Sequence, residues 1–333
     1  MTIYTGESIA EQFTAWGVGA EFVGHTISPQ IITYYFNLKN PLQLQKVKRM
    51  AENLGASMRC VVTFSTCSSA DFCLQVARED KRIINIKEFA GIMRTAPAYS
   101  GIIGTDTDNR QRVETLDNLT HLLIAGTTGS GKSVAVNSFL MSLLCYNQPQ
   151  NLGLLLIDLK RVEFAQFQKV PHLIKPIATE PHEALELLEW LTEEMHARYQ
   201  VMAKHGITKN QGEFKKILLV IDELSDLILT APATRSILVK LLQKARACGI
   251  HVVVATQSPR AKILDGVMLA NLPSRLALTC SNSRESVLIL GHKGAEKLTG
   301  RGDAILKLPN STTETRLQVP FISPEQIKKL INN

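Results

Sequence analysis

The sequence of 333 residues has no apolar run approaching the ~18 residues that a membrane span needs. Its N-terminus lacks the charged stretch followed by an apolar stretch that marks a secretory signal peptide. Composition is otherwise ordinary, with 45% apolar and 20% charged residues, and the length suits two or three domains. We therefore expect a soluble cytoplasmic protein without membrane contact.

Cysteine is sparse, and its spacing indicates neither a zinc site nor a disulfide framework, because no C-x-x-C pair occurs. We predict buried, reduced thiols in a cytosolic protein. The six cysteines are Cys60, Cys67, Cys73, Cys145, Cys248 and Cys280.

A long basic tail is also absent, although the formal net charge is +7. That charge permits a polyanionic partner, but a nucleic-acid surface must then be assembled by folding or by oligomerisation. No N-K-x-D base-reading motif follows the glycine-rich loop described next, which disfavours a signalling GTPase.

One glycine-rich stretch organises the sequence. Residues 126–133 read Gly-Thr-Thr-Gly-Ser-Gly-Lys-Ser and fit G-x-x-x-x-G-K-[ST], the phosphate-binding loop. An apolar run at 121–125 precedes it, and apolar residues at helical spacing follow it until Pro149. Strand, loop and helix is the setting in which backbone N–H groups and a helix N-terminus converge on a phosphate. The alternative is a glycine-rich turn without a ligand.

The loop supplies the predicted nucleotide contacts. Lys132 places a positive charge against the β- and γ-phosphates, and the Ser133 hydroxyl is a hard oxygen ligand for Mg²⁺. ATP and Mg²⁺ are therefore the predicted cofactors. The residues assigned to nucleotide binding are Thr128, Gly129, Ser130, Gly131, Lys132 and Ser133.

A second motif ends a wholly apolar stretch, residues 217–223, with two carboxylates. In a parallel sheet the carboxyl ends of strands form the edge where ligands bind. We predict that Asp222 holds the Mg²⁺ shell and that Glu223 is the general base for the attacking water. The alternative is that both merely cap the following turn.

A third buried strand, residues 251–257, ends in an amide. At that position Gln257 can bridge the γ-phosphate and the lytic water, and the alternative is a plain strand-end amide. The loop that follows carries two cations, Arg260 and Lys262.

The domain organisation follows from changes in pattern. Residues 1–95 indicate a small α+β domain, with a helix opened by Pro41 and ended by Gly55. Residues 96–118 are turn-rich and predict a connection. Residues 119–333 alternate strands and helices, which predicts an α/β domain with a parallel sheet covered on both faces.

Many segments, in order and spacing, resemble the FtsK/SpoIIIE DNA translocases of the FtsK–HerA group. The resemblance covers roughly residues 120–310, and the N-terminal region is less similar. The matching segments are 121–133, 157–163, 171–176, 194–199, 221–227, 243–247, 249–251, 255–257, 270–275, 294–298 and 300–303.

This resemblance implies a RecA-like P-loop ATPase that forms hexameric rings around DNA and moves along it. It also implies that Arg246, in the Gln-Lys-Ala-Arg-Ala segment, is an arginine finger acting on the neighbouring subunit's ATP. From the residues alone, Arg246 can equally be a helix-end charge favoured by the helix dipole.

The sequence departs from the family pattern at residues expected to contact DNA. The family's Asp-Pro-Lys is Asp-Leu-Lys at 158–160, and Ser-Pro-Arg at 258–260 replaces Arg-Pro-Ser. Basic residues usual in the pore loops are replaced, and Arg260, Lys262 and Arg284 lie close by as candidate DNA contacts. We expect duplex DNA to be favoured over single strands.

These expectations leave more than one function open. The first hypothesis is a ring-forming DNA translocase that serves mobile-element, plasmid or phage DNA replication or transfer, together with a replication or transfer partner protein. One alternative is a hexameric helicase threading a single strand. Another is a DNA-binding coupling or adaptor protein gated by slow ATP hydrolysis.

Overall fold

The computed structural model describes residues 5–58, 60–65 and 69–331. By its internal contacts the chain divides into two compact units. The first comprises the described residues up to Ile84 together with Thr105–Arg110, and the second comprises Asn85–Gly104 and the described residues from Gln111 onward.

The first unit is a small antiparallel sheet with two helices. Its strands have the order β1-β2-β4-β3, and a one-turn 3-10 helix at Pro41–Gln43 leads into α2. Its elements are α1 Gly6–Ala15, β1 Ala20–Ile27, β2 Ile31–Leu38, α2 Leu44–Met58, β3 Val62–Ser65 and β4 Phe72–Ala77.

Aromatic side chains fill the core of the first unit. The Phe13 ring packs edge-on against Phe36 and Phe72, which stack on each other with ring centroids 5.2 Å apart. The prediction that Gly55 ends the second helix is wrong, because α2 continues to Met58. Glycine is needed there for another reason: a Cβ atom at Gly55 would lie 2.9 Å from the Cys60 carbonyl oxygen.

The second unit is built around the larger sheet, and short 3-10 helices lie at Ile86–Phe89, Ala165–Phe167, Ala245–Cys248 and Ala295–Lys297. Its strands are β5 Ser100–Asp106, β6 Gln111–Thr115, β7 Leu122–Ala125, β8 Leu152–Ile157, β9 Lys216–Ile221, β10 Ile250–Thr256, β11 Ser274–Leu278, β12 Asp303–Lys307 and β13 Thr315–Gln318. Its helices are α3 Ala90–Thr95, α4 Leu116–Leu119, α5 Lys132–Tyr146, α6 Pro181–His205, α7 Leu224–Thr230, α8 Thr234–Lys244, α9 Gly266–Ala270, α10 Ser283–Leu290 and α11 Pro324–Ile331.

The core of the larger sheet is parallel, as predicted. The full order is β6-β5-β13-β12-β11-β7-β10-β9-β8, and the run from β11 to β8 is parallel throughout. Strands β7, β8, β9 and β10 are buried along their whole length, which suits a sheet covered on both faces. Their carboxyl ends therefore meet at one edge.

Residues 96–118, predicted as a turn-rich connection, contain β5 and β6. The glycines that suggested turns allow close packing instead. A Cβ atom at Gly101 would lie 2.1 Å from the Phe139 ring, and one at Gly104 would lie 2.4 Å from the Gln318 carbonyl oxygen. The division into units accordingly differs from the predicted boundaries, and the tip of the β5–β6 hairpin groups with the first unit.

The described cysteines are free thiols, and three of them, Cys73, Cys248 and Cys280, are buried. Cys145 is exposed, which departs from the prediction of buried thiols, and Cys67 lies outside the described residues. Within the described ranges, no helix combines the length and apolar character needed to span a bilayer.

Two buried histidines lie at the amino ends of β7 and β10. His121 and His251 are each 1% exposed, with ring centroids 6.5 Å apart. His121 Nδ1 accepts the Val252 N–H at 3.0 Å, and His251 Nδ1 lies 3.0 Å from the Thr120 carbonyl oxygen, to which it donates. Burial lowers the pKa of His121 from 6.5 to about 3 and that of His251 to about 4. Both rings are therefore neutral in the folded protein at neutral pH.

Acid is expected to destabilise the fold through this pair. Below pH 6.5 the unfolded chain binds protons at both histidines while the folded chain does not, so the free energy of unfolding falls. The decrease due to His251 ends at about pH 4, and the decrease due to His121 ends at about pH 3. At about pH 5.5 the loss is about 1 kcal/mol for each histidine. The measurement is urea unfolding at about pH 7.5 and about pH 5.5.

The matched variant for this prediction is His121→Asn with His251→Asn, because asparagine keeps an acceptor or donor at the δ position. Its unfolding free energy is expected to depend less steeply on pH than that of the wild type. An identical pH dependence in both proteins would contradict a role for the buried imidazoles.

Candidate nucleotide-binding site

The glycine-rich loop joins the carboxyl end of β7 to α5 and is tied to the two neighbouring strands. Its Gly126 N–H donates to the carbonyl oxygen of Thr256, the last residue of β10, and its Thr127 N–H donates to the Thr279 carbonyl oxygen after β11. In the part of the chain that the structure describes, the N–H groups of Thr128, Gly129 and Gly131 find no protein acceptor. Free N–H groups at a helix N-terminus are what a phosphate requires.

The last turn of the loop packs against a second glycine turn, residues 300–303. Gly131 has φ +100°, and a Cβ atom there would lie 2.6 Å from the Gly302 nitrogen. The Gly302 N–H donates to the Ser130 carbonyl oxygen at 2.7 Å. Asp303 in the same turn forms a buried ion pair with Arg316 at 2.7 Å. This turn therefore holds the phosphate loop in place. The sequence analysis did not predict that contact.

Lys132 and Asp222 form a buried ion pair across the sheet edge. The Lys132 ammonium donates to Asp222 Oδ1 at 2.7 Å and to the Asp222 carbonyl oxygen at 3.0 Å. Both residues are 3% exposed. The ammonium thus compensates the carboxylate predicted to hold the Mg²⁺ shell, and it links the loop after β7 to the end of β9 across β10.

The Glu223 carboxylate is fixed by hydrogen bonds on both oxygens. Oε1 accepts the Thr256 hydroxyl at 2.5 Å, and Oε2 accepts the Gln257 N–H at 2.8 Å. Oε1 also accepts the Ser225 N–H at 3.3 Å, which caps α7 as the alternative prediction required. Capping and catalysis are compatible here, because a carboxylate offers about four lone-pair directions.

Gln257 faces the phosphate loop. Its side-chain oxygen accepts the Thr128 hydroxyl at 2.9 Å, while its main-chain N–H is bound to Glu223. The structure thus brings the predicted bridging amide between the loop and the predicted base.

Ser133, the predicted metal ligand, donates its hydroxyl to Glu163 Oε1 at 2.6 Å. Glu163 belongs to the loop after β8, which places a second carboxylate beside the phosphate loop.

These residues fit ATP and Mg²⁺. The free N–H groups, the positive-φ glycine at 131 and the buried Ser130 hydroxyl, which has no partner among the described residues, form a cradle for phosphate oxygens. In the described ranges, no group of three or more His, Cys, Asp or Glu residues is arranged to hold a metal. Mg²⁺ takes one or two protein oxygens and fills its shell with phosphate and water, and the Ser133 hydroxyl and the Asp222 carboxylate are oxygens of that kind. Ser133 and Asp222 are the residues that would hold it.

Arg246 lies at the opposite edge of the sheet. It belongs to the 3-10 helix that leads into the amino end of β10, and its guanidinium donates to the Asp117 carbonyl oxygen at 3.1 Å. Asp117 lies in α4, just before β7, whereas the phosphate loop follows β7. At ~3.3 Å per residue, the strand alone separates the two by roughly 13 Å. The structure does not bring Arg246 to the phosphate loop of its own chain.

The three residues predicted to contact DNA lie in segments that come after the carboxyl ends of strands. Arg260 and Lys262 lie after β10, and Arg284 lies in the first turn of α10 after β11. All three are exposed, and in the described part of the chain none of them forms an ion pair. They are available to an anion.

Sequence reasoning left Thr256, Glu163 and Gly302 without roles. Each lies in a segment that carries the family resemblance, 255–257, 157–163 or 300–303. Their location in segments shared with the family was the sequence signal that could have indicated a functional role. The partner of each residue comes from a different part of the chain, so the role emerges only from the fold.

Comparison with known proteins gives the family. A model described as the FtsK/SpoIIIE family matches residues 98–216 and 208–261. The DNA translocase FtsK of Corynebacterium glutamicum is 32% identical over 356 residues, covering 98% of this chain and 38% of that protein. FtsK of Caldanaerobacter subterraneus is 32% identical over 341 residues, covering 98% of this chain and 48% of that protein. The chain thus spans less than half the length of these relatives.

Solved structures share the fold. The pCW3 conjugation coupling protein TcpA, in its monomer form with ATPgS, superposes with a TM-score of 0.67 at 21% identity, covering 97% of this chain and 96% of that one. The Type VII secretion ATPase EccC of Thermomonospora curvata gives a TM-score of 0.66 at 20% identity, covering 76% of this chain and 34% of that one. The RecA-like α/β fold predicted from the sequence is confirmed.

The sequence similarity extends over nearly the whole chain, and the family model covers the phosphate loop, both carboxylates at the end of β9 and the amide after β10. The chain belongs to the FtsK/SpoIIIE family of P-loop ATPases.

Proposed function

We propose that the chain is an ATP-driven DNA translocase that works as a hexameric ring around duplex DNA. Membership in a family of P-loop ATPases supports ATP hydrolysis, and the relatives named DNA translocase FtsK support movement on DNA. Those relatives are more than twice as long as this chain, so their whole activity is carried over here as part of the proposal.

The position of Arg246 is the main observation that supports a ring-shaped assembly. The phosphate loop and both predicted catalytic side chains, Glu223 and Gln257, lie at the carboxyl edge of the sheet. Arg246 lies at the amino edge. A head-to-tail contact sets one edge of a subunit against a different surface of the next, and closing such contacts makes a ring. In that ring Arg246 reaches the neighbour's γ-phosphate and stabilises the charge that develops there.

Within one subunit the residues divide the chemistry. Lys132 binds the β- and γ-phosphates, and Mg²⁺ held by Ser133 and Asp222 supplies charge neutralisation when bound. Gln257 orients the attacking water, and a free lone pair on the Glu223 carboxylate takes its proton. The hydrogen bonds from Thr256 and Gln257 keep that carboxylate in one orientation.

The biological role that we propose is DNA replication or transfer for a mobile element, plasmid or phage, together with a partner protein in the cytoplasm. Its support is the conjugation coupling protein TcpA, which matches over 97% of this chain and 96% of its own length. The same match favours the second candidate, a coupling protein in which slow hydrolysis acts as a timer. A hexameric helicase is the third, and strand displacement from forked substrates distinguishes it from a translocase.

Replacing the base should separate binding from hydrolysis. Glu223→Gln keeps an oxygen for the Gln257 N–H, and the Thr256 hydroxyl can turn to accept, so ATP binding is expected to persist. Turnover should fall by roughly 10²–10⁴-fold because no carboxylate takes the proton. Nucleotide retention and phosphate release are measured on the same sample.

The control for this experiment is Lys132→Ala, which should lose binding as well as turnover. Because Lys132 compensates the buried Asp222, thermal unfolding verifies that this variant is folded. Wild-type turnover in Glu223→Gln would remove Glu223 as the base.

A finger that acts between subunits predicts complementation. Arg246→Ala and Lys132→Ala should each be inactive alone, since losing a finger costs ~10³-fold or more. After subunit exchange in a mixture, roughly one interface in four pairs an intact site with an intact finger, and activity should return. ATP turnover of the mixture is the measurement. Lys244→Ala, two residues earlier in the chain, is the charge-matched control and should stay active.

Two dead variants that remain dead when mixed, in rings shown by native mass measurement to contain both, would argue against the shared site. So would full ATP turnover by a lone protomer.

The DNA track is tested by comparing two double variants with the same loss of charge. Arg260→Ala with Lys262→Ala should weaken the stimulation of ATP turnover by duplex DNA and reduce the salt slope of binding by ~0.9 for each lost phosphate contact. Lys328→Ala with Lys329→Ala, on α11, should leave both unchanged. ATP turnover is measured without DNA, with single strands and with duplex.

Equal behaviour of the two double variants would contradict a DNA surface at 260–262. Stimulation by single strands alone would favour the helicase, and turnover indifferent to any DNA would favour the coupling protein.

A further inference from the structure

The strongest unassigned contact in the site joins the phosphate loop to the loop after β8. Ser133 donates its hydroxyl to Glu163 Oε1 at 2.6 Å. Hydrogen bonds from a hydroxyl to a carboxylate are short and about twice as strong as neutral ones. Both side chains are half-buried, so water screens the contact only in part.

The hydrogen-bonding chemistry of a serine that binds a metal explains how this contact can contribute to function. A serine hydroxyl has one hydrogen and two acceptor lone pairs. When a lone pair binds a cation, the hydrogen must point to an acceptor on another side. In this structure Asp222 Oδ1 is occupied by the Lys132 ammonium at 2.7 Å, and Glu163 is the acceptor that receives the Ser133 hydrogen.

The backbone on both sides of Glu163 is held in place. Its neighbour Phe164 is fully buried, and the Phe164 N–H donates to Asp158 Oδ2 at 2.9 Å. The Arg161 N–H donates to the Asp158 carbonyl oxygen at 3.1 Å, closing a turn in which Arg161 has φ +58°. Asp158 directly follows β8, so the loop that carries the Glu163 carboxylate is anchored at the end of the sheet.

We propose that Glu163 is a positioning residue for the metal–nucleotide complex. Its carboxylate takes the Ser133 hydrogen, which turns a serine lone pair toward Mg²⁺, and its negative charge lies close to the cation. The inference rests on the proposed ATPase function and adds to it a carboxylate that acts on the metal through Ser133. Groups that orient metal ligands in this way typically contribute 10–100-fold to metal affinity.

The test measures binding of a fluorescent ATP analogue to the full chain while Mg²⁺ is titrated, and again with EDTA. In Glu163→Ala the Mg²⁺ concentration for half-maximal binding should rise by roughly 10–100-fold. Binding without metal should not weaken, because Glu163 acts through Ser133 and the cation. Glu163→Gln keeps an oxygen acceptor without the charge and should lie between the wild type and Glu163→Ala.

Two controls separate positioning from support of the loop. Glu180→Ala removes the ion pair of Arg161 in the same loop but leaves Glu163 intact, so its Mg²⁺ dependence should match the wild type. In a Ser133→Ala background, Glu163→Ala should cause little further loss, because two residues acting through one contact are not additive.

Three results would overturn the inference: unchanged or tighter Mg²⁺ dependence in Glu163→Ala, an equal loss of binding with and without metal, or full additivity with Ser133→Ala. A wild-type chain that binds no nucleotide would overturn the proposed function itself. That outcome is visible before any Glu163 variant is made.

Discussion

A buried ion pair between Lys132 and Asp222 holds the site together. It spans three strands, because Lys132 lies beyond the end of β7, Asp222 directly follows β9 and β10 lies between those two strands. Neither charge is accessible to water, so each depends on the other for compensation. The pair fixes the distance between the phosphate loop and the end of β9. Glu223 follows Asp222 in sequence, and its Oε2 accepts the Gln257 N–H from the neighbouring strand end, so the predicted catalytic groups lie beside this pair.

The parallel sheet has two chemically different edges, and this asymmetry leads from fold to assembly. The carboxyl edge gathers the phosphate loop, two acidic side chains and an amide, since every strand there points the same way. The amino edge carries Arg246 over the buried pair His121 and His251. A cation on the amino edge cannot serve the carboxyl edge of the same sheet. In the proposed ring, the site of one subunit lacks an arginine finger of its own, and a head-to-tail neighbour supplies it.

Structural features encoded by contiguous residues were predictable from the sequence. Features that depend on contacts between residues far apart in the chain were missed. The loop at 126–133 and the polar ends of β9 and β10 follow from contiguous residues, so their place on one edge was predictable. Strand β5 was missed because Gly101 and Gly104 suggest turns, whereas they admit Phe139 and the Gln318 carbonyl oxygen at close range. Likewise, Glu163 meets Ser133 across thirty positions of chain, a contact that no spacing rule predicts. The domain boundaries and the roles of the site residues remain predictions.

The charge balance of the candidate site favours, in the proposed ATPase, joint binding of metal and triphosphate. The Lys132 ammonium pairs with Asp222, and the Lys160 ammonium pairs with Asp226 and also attracts Asp222 and Glu223. With Glu163 beside Ser133, four acidic side chains share two ammonium groups, so negative charge is in excess. A bare triphosphate adds to that excess and is repelled at short range. In the proposed ATPase, a magnesium complex of the triphosphate would offset this excess. The acidic loops after β8 and β9 would then disfavour free nucleotide relative to its magnesium complex, and only the fold brings those two loops together.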